Sequence, residues 1–275
     1  MKRFFSRLVR NKAATAALVV IVLLGGCALA APWLAPYAPL DQDYSAFRSA
    51  PDSAHWLGTD GSGRDVLSRL LYGARISFQV AGVSVAFALL VGGMMGLCAG
   101  YFGGWIDEVV SRMTDMLFAF PDIVLALVIM AALGEGRWNL VLAIGVVYTP
   151  IFARVARGSA MAIKRQPYVE SAHAIGAGPW RTILRHILPN SAAPLLVQAT
   201  LSLALAILAE GALSFLGLGV EPDAPSWGIM LREGKDLALQ NIWWVAVFPG
   251  IAITALVLSF NLLGDGLRDA LDPRT

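Results

Sequence analysis

Charged side chains are scarce in this sequence. Of its 275 residues, 15% are charged and 57% are hydrophobic, whereas soluble domains contain about 25% charged and about 45–50% apolar residues. The three longest stretches without Asp, Glu, Lys or Arg are residues 13–40, 76–106 and 237–264. As a helix at about 1.5 Å per residue, each is longer than the roughly 30 Å hydrocarbon core of a bilayer. The composition therefore predicts an integral membrane protein and excludes disordered, collagenous and disulfide-stapled classes.

Residues that usually carry chemistry are also few. The two cysteines, Cys27 and Cys98, lie in apolar segments, and the three histidines are far apart in the chain. The only Gly-Lys pair, at 234–235, is followed by Asp236, so the chain lacks a phosphate-binding loop of the Gly-Lys-Ser/Thr type. No Gly-x-Ser-x-Gly or His-Glu-x-x-His pattern is present. We therefore expect a non-catalytic chain with no cofactor and no metal, and a net charge of +2 does not predict a nucleic-acid partner.

The apolar runs predict an all-α fold with about six transmembrane helices, near residues 13–34, 79–101, 116–134, 138–154, 194–216 and 241–263. The third of these contains Pro121 and Asp122 near its start, and the fourth is short. Glu135 and Arg137 lie in a tight polar turn between them, which predicts an antiparallel pair. We divide the chain into an N-terminal helix and outer loop at 1–75 and a core at 76–275.

The basic residues predict the orientation. With the N-terminus in the cytoplasm, the inner segments hold fourteen of the Lys and Arg residues and the outer segments hold seven. Because inner loops are enriched in basic residues, we expect both termini to be cytoplasmic. The first span also resembles a cleaved signal peptide or a lipid-attachment box ending at Cys27. Its apolar run continues to Trp33 and Leu34, which favours a retained helix.

One inner segment, about 155–189, predicts a helix–turn–helix. Pro167 suits the first turn of a helix over 168–175, and Glu170 complements the positive end of that helix. The run Gly176-Ala177-Gly178-Pro179 then ends one helix and starts another. An apolar stripe follows at offsets of 0, 3, 4, 7 and 8 from Trp180, with Arg181 and Arg185 on another face. We expect this unit to lie against the inner membrane surface.

The same segment carries a resemblance to a known family. Glu170-Ser171-Ala172, with Gly176 six residues after the glutamate and Leu188-Pro189-Asn190 beyond, resembles the EAA loop of permease subunits in ATP-binding-cassette importers. Ser171 stands where that pattern has alanine, and His186 stands where it has isoleucine. The residues around His186 resemble those of the dipeptide, oligopeptide and nickel branch of this family. Three further segments resemble the C-type permeases of that branch, at 55–69, 212–228 and 261–269.

This resemblance implies a type I importer fold in a bacterial inner membrane and a subunit that couples transport to ATP hydrolysis by other chains. The implied partners are a second homologous permease in a heterodimer, two cytoplasmic ATPase subunits and an extracytoplasmic substrate-binding protein. The implied coupling residues are Glu170, Ser171, Ala172, Gly176, Arg181 and Arg185. The substrate class is di- or oligopeptides, with glutathione or a nickel chelate as alternatives.

Other interpretations stay open from the residues alone. Glu170 also suits a simple helix N-terminus, and Arg181 and Arg185 also suit contacts with lipid phosphate. Glu210, about 24 Å along the fifth span, suits either the translocation pathway or the outer interface. The Val66–Leu71 segment suits an interfacial helix or, alternatively, a contact for the binding protein. A secondary transporter is disfavoured because the interiors of spans one, two, four and six contain no ionisable residues.

Overall fold

The computed structural model describes residues 10–271, and this part of the chain is built almost entirely from helices. Two isolated β-bridges, Gln42–Arg64 and Thr59–Asp65, are the only strand-like pairings within it. The helices are α1 Lys12–Leu29, α2 Ala31–Leu34, α3 Val66–Phe102, α4 Gly104–Phe118, α5 Asp122–Leu133, α6 Arg137–Lys164, α7 Pro167–Ala174, α8 Pro179–Thr182, a π-helical turn Ile183–Ile187, α9 Leu188–Leu216, α10 Trp227–Ala238 and α11 Trp244–Leu271.

Length and hydropathy single out the candidate membrane spans. Five of them are α1, α3, α6, the continuous stretch Pro179–Leu216 and α11, and the bent pair α4–α5 makes up to six. The all-helical prediction and the number of spans are therefore confirmed. Two helices extend beyond the predicted spans, since α3 begins at Val66 and α6 continues to Lys164. The segment predicted as an interfacial helix is thus the first part of α3.

The span predicted at 116–134 is wrong in its boundaries, because the chain bends by 91° between α4 and α5. Pro121 stands at the N-cap of α5 with ψ 134°, which is extended backbone. Proline has no N–H to donate, and its ring keeps the preceding residue away from helical angles. A helix that enters this position therefore has to end. The 12 residues of α5 that follow do not span a bilayer by themselves.

The centre of the fold is a very close contact between α3 and α6. Gly92, Gly96 and Gly100 lie one helical turn apart on α3 and face the backbone of α6. A Cβ atom added at Gly92 would lie 2.2 Å from the Thr149 carbonyl oxygen, and one at Gly96 would lie 2.1 Å from the Ala153 carbonyl oxygen. Only glycine permits this approach, as in the small-residue contacts typical of membrane helices. The two helices therefore form one packed unit.

The connecting segments gather at two opposite ends of the molecule. At one end, Gly136 donates from its backbone N–H to the Gly219 carbonyl at 3.0 Å, and Arg48 bonds Gln240. At the other end, α7 contacts the last residues of α3 through Tyr101. The start of α1 packs on the last turns of α11, where Ala14 and Ala17 meet Leu263 and Ala270. This grouping agrees with an even number of crossings, whereas its direction across the membrane stays a prediction.

Candidate functional site

The short helix α7 presents one packed face and one free face. It begins with Pro167 at its first position, as the sequence predicted, and its bounds, Pro167–Ala174, lie one residue from the predicted ones. Val169 is fully buried and Ala172 is nearly so, whereas Glu170 and Ser171 are exposed. The buried pair holds α7 against the rest of the chain. The exposed pair leaves polar groups open at this end of the molecule.

The turn after α7 requires glycine for its conformation. Gly176 has φ +87°, in the left-handed region that other residues rarely adopt. Ala177 donates its N–H to the Ala172 carbonyl and Gly176 donates to the His173 carbonyl, which is the hydrogen-bond arrangement that commonly closes a helix. A Cβ atom on Gly176 would meet no heavy atom within 4 Å, so space is not the constraint. The predicted left-handed turn is confirmed.

The second helix of the unit differs from the predicted regular helix. Pro179 starts it, as expected, but residues Ile183–Ile187 form a π-helical turn that continues directly into α9. Ile183 and Ile187 are buried, whereas Trp180 and Leu184 are more than half exposed. Of the expected apolar stripe, Ile183 and Ile187 therefore pack fully against the rest of the chain, whereas Trp180 and Leu184 do so only in part. The wider π turn rotates the residues that follow it relative to a regular helix.

A cleft of about 460 Å³ lies between α7 and this second helix. Its lining brings together five of the six predicted coupling residues, namely Ser171, Ala172, Gly176, Arg181 and Arg185. The sixth, Glu170, lines a neighbouring cavity of about 440 Å³ with Lys164, Arg165 and His173. Both arginines are exposed. The structure thus places Glu170 in one cavity, together with Lys164 and Arg165, and the other two arginines in the cleft.

Tyr101 at the end of α3 contacts both α7 and the end of α6, and the sequence alone gave no sign of these two contacts. The His173 ring lies parallel to the Tyr101 ring at 5.9 Å between centroids, and its Nε2 is 3.2 Å from the Tyr101 hydroxyl oxygen. The Lys164 ammonium, at the end of α6, donates to the Tyr101 carbonyl. These contacts connect α7 with both helices of the glycine-packed unit.

At the opposite end, four charged side chains form a buried ion-pair cluster that connects segments far apart in the sequence. Arg69 is fully buried and its Nη1 contacts the carboxylates of Asp60 and Glu233. Arg64 binds the same two carboxylates at 2.8 and 2.9 Å. Burial works to lower the pKa of Arg64, but these carboxylates outweigh it and the pKa is raised. The cluster fastens the outer loop to α10.

Sequence reasoning did not find this cluster. The only signal was the unusual density of Asp, Gly and Arg at 58–69, directly before a long apolar helix. The pairing with Glu233 joins residues separated by 164 positions, which no local pattern shows. Arg64, in the loop before α3, and Arg69, in the first turns of α3, are therefore interior residues. They are not exposed positions on a membrane-surface helix.

Glu210 is enclosed within the subunit. It is 0% exposed, and its carboxylate accepts hydrogen bonds from the hydroxyls of Ser77 at 2.8 Å and Ser214 at 3.0 Å. In this conformation it links α3 with α9 inside the subunit. Its place on the translocation pathway stays a prediction.

Comparisons with known proteins agree with this geometry. The family model described as binding-protein-dependent transport system inner membrane component matches residues 67–275. A second model, the N-terminal TM domain of oligopeptide transport permease C, matches residues 1–51. Together, the two matches include α3 and α6, which pack through glycines, and the N-terminal span α1. They also include the helix–turn–helix at 167–187, which we call the α7 unit.

Curated relatives match over nearly the whole chain. A glutathione transport system permease protein from Pectobacterium atrosepticum is 43% identical over 275 residues, which is 99% of this chain and 91% of the relative. A dipeptide transport system permease protein from Alkalihalophilus pseudofirmus is 43% identical, covering 98% of this chain and 88% of its own length. A di/tripeptide transport system permease protein from Pseudomonas aeruginosa is also 43% identical, over 100% of this chain and 92% of the relative.

A solved structure supports the fold. A chain from inward-facing conformations of the MetNI methionine ABC transporter superposes with a TM-score of 0.60 at 19% identity, over 74% of this chain and 97% of that one. At this identity the likeness shows the type I architecture alone. Taken with the family match and the full-length relatives, it leads to the conclusion that this chain belongs to the binding-protein-dependent inner membrane components, as a multi-pass permease subunit of the peptide and glutathione branch of bacterial ABC importers.

Proposed function

We propose that this subunit forms half of the translocation pathway for di- or oligopeptides and is driven by ATP hydrolysis on separate chains. The observation that carries the proposal is α7, a short helix anchored by Val169 and exposing Glu170 and Ser171 beyond the ends of the long helices. A helix held on one side and free on the other suits insertion into a groove of an ATPase subunit. The full assembly comprises a second homologous permease, two ATPase subunits and an extracytoplasmic binding protein.

The contacts of α7 support a mechanical form of coupling. Closure of the two ATPases moves α7, and the Tyr101–His173 and Lys164–Tyr101 contacts carry that displacement to α3 and α6. Because these helices meet backbone to backbone at Gly92 and Gly96, they move as one rigid body. The pathway then alternates its access between the two sides of the membrane. The permease changes shape in this cycle and performs no chemical step.

The proposed substrate class follows the peptide relatives, and glutathione is the second candidate. Relatives named for dipeptide, di/tripeptide and glutathione transport each share 43% identity with this chain. Glutathione is itself a small peptide with an amino group and carboxylates, so one pathway chemistry suits both. A nickel chelate stays an alternative from the sequence resemblance.

Two substitutions in the α7 unit test the coupling proposal. Glu170→Ala removes one partner of a charged contact with the ATPase, a loss of about 2–5 kcal/mol if the opposite charge stays desolvated. Gly176→Val places a β-branched residue at φ +87° and distorts the turn. We expect both variants to lose most of the ATPase copurification and substrate-stimulated ATP hydrolysis in the reconstituted importer. Binding of the substrate-binding protein to the outer face should persist.

Matched controls exist in the same chain. Gly178 lies two residues after Gly176 in equally open space but has φ −69°, so Gly178→Ala should couple normally. Glu108 is another exposed glutamate, on α4, and Glu108→Ala should leave ATPase association unchanged. Transport, copurification and stimulated ATP hydrolysis at wild-type levels in both Glu170→Ala and Gly176→Val would reduce α7 to a simple connector.

A further inference from the structure

A cavity of about 370 Å³ lies between α5, α6 and α9, away from the α7 unit. Its walls are almost entirely aliphatic, and its two polar side chains are Asp122 and Tyr148. Asp122 comes directly after the bend that separates α4 from α5, and it is exposed. Tyr148 is only 4% exposed. An apolar chamber with one carboxylate and one phenol is the composition of a binding site for a small organic ligand.

Both polar residues belong to candidate membrane spans, Asp122 to the bent pair α4–α5 and Tyr148 to α6. From Asp122 to the end of α5 there are 12 residues, or about 18 Å of helix. Tyr148 lies 11 residues after the start of α6 at Arg137, or about 17 Å. The short turn 134–136 joins the end of α5 to the start of α6. In this turn, the Gly136 N–H donates to the Gly219 carbonyl at the outer-loop end of the molecule. The pair therefore lies about 17–18 Å along the helices from that end of the molecule.

Neither polar group is satisfied by the chain itself. Among residues 10–271, the Asp122 carboxylate has no ion pair and no hydrogen bond, whereas two other acids on the α4–α5 segment, Asp107 and Asp115, are paired with Arg157 and Arg154. Tyr148 is buried as a residue, and its hydroxyl, which stays accessible from the cavity, likewise makes no hydrogen bond within that range. An unpaired charge on a membrane-spanning helix is costly against lipid, and such residues typically face a pathway. Within the described residues, the cavity lining contains no cationic partner for Asp122.

We propose that Asp122 and Tyr148 bind the primary ammonium group of the substrate as it passes through the subunit. An ammonium group has three N–H donors, of which one suits the carboxylate and another the phenolic oxygen. The aliphatic walls, including Ile144, Val147 and Leu208, suit the hydrocarbon part of a peptide side chain. A metal ion is a poor fit, because one carboxylate and one phenol are too few ligands. The inference rests on the proposed function and assigns the group that this pathway recognises.

Transport in the reconstituted importer gives the first test, with radiolabelled alanyl-alanine as the probe. We expect Asp122→Asn to lower uptake at least about tenfold, because the charge that pairs with the ammonium is lost. Tyr148→Phe should lower uptake less, and Asp122→Glu should retain much of it. Asp115→Asn is the matched control, since Asp115 is an exposed carboxylate on α4 that lies outside the cavity. Wild-type uptake in Asp122→Asn would overturn the inference.

A second test measures how fast charged reagents label a thiol in the cavity, and it does not need the binding protein. In a variant with Cys27 and Cys98 replaced by Ser, Leu208→Cys places a thiol on the cavity wall. A trimethylammonium-ethyl thiosulfonate reagent should label it faster than the sulfonate-ethyl reagent by about tenfold, because a carboxylate concentrates cations in a narrow cleft. Asp122→Asn should remove most of that preference. An Ala50→Cys reference in the outer loop should show no change with Asp122→Asn.

The outcomes separate this inference from the proposed function. Loss of alanyl-alanine uptake in Asp122→Asn, with normal basal ATP hydrolysis and normal ATPase copurification, identifies a recognition defect in an intact complex. Equal labelling by the two reagents in the parent Leu208→Cys protein would reject the ammonium site and leave the coupling proposal standing. Intact transport in Glu170→Ala and Gly176→Val would reject the coupling proposal and leave the cavity test in force.

Discussion

At the scale of single residues, the outer-loop cluster shows how a few buried charges can hold distant segments together. Arg69 is fully buried, and its Nε and Nη2 atoms have no hydrogen-bond partner within the described residues. Its Nη1 atom alone contacts Asp60 and Glu233. Removing the arginine would therefore leave two carboxylates close together with only Arg64 to balance them. The loop and α10 depend on this one side chain.

We predict that Arg69→Ala destabilises the subunit by about 3–5 kcal/mol, because breaking a buried charge network leaves uncompensated carboxylates. Thermal unfolding of the purified complex in detergent, followed by tryptophan fluorescence, measures the loss. Arg75→Ala is the matched control, since Arg75 is exposed and lies less than two turns further along α3. An Arg69→Ala protein that melts at the wild-type temperature would show that the cluster contributes little.

At the scale of elements, the contact between α3 and α6 is set by glycines at every fourth position. The same helix contains other glycines that touch little. One is Gly93, where an added Cβ atom would lie 3.9 Å from a Leu89 methyl carbon. Adjacent positions on one helix thus differ entirely in their tolerance. The difference depends on which face of α3 meets α6.

Gly96→Ala should therefore destabilise the helix pair by about 1–3 kcal/mol, since its methyl group would collide with the Ala153 backbone and force α3 and α6 apart. Gly93→Ala should be neutral or slightly stabilising, because alanine favours helix over glycine. Unfolding by a denaturing detergent distinguishes the two. We also expect Gly96→Ala to weaken transport more than ATPase copurification, since α7 itself is unchanged. Equal stability of both variants would contradict the packing argument.

At the scale of the whole molecule, the connecting segments separate into two ends, and the basic residues predict which end faces the cytoplasm. Ala50 is exposed at the outer-loop end, and Ser171 is exposed at the α7 end. If the orientation follows the excess of inner basic residues, these two positions lie on opposite sides of the membrane. They are the natural reporters of topology.

In a background without Cys27 and Cys98, a membrane-impermeant maleimide added to intact cells should label Ala50→Cys and leave Ser171→Cys unmodified. Ser171→Cys should react only after the membrane is permeabilised, which serves as the positive control. Strong labelling at position 171 in intact cells would reverse the orientation. It would also remove the cytoplasmic ATPases from reach of α7.

Much of the architecture follows from the sequence by itself, because long apolar runs, prolines and glycines act locally. The helical spans, the start of α7 at Pro167 and the left-handed turn at Gly176 are examples, since each depends on backbone chemistry within a few residues. The bend before Asp122 was harder to foresee, as the surrounding apolar run resembled a single span. There, one proline outweighed the hydropathy of its neighbours.

The tertiary structure alone decided which polar residues are satisfied and which are free. Glu210 and Asp122 are both acids within apolar segments, and nothing local distinguishes them. Glu210 is enclosed by hydroxyls from Ser77, 133 positions away, and from its neighbour Ser214, whereas Asp122 faces an open cavity without a partner. Local sequence sets backbone conformation through short-range sterics. Charge pairing depends on contacts between distant helices, which only the folded chain brings together.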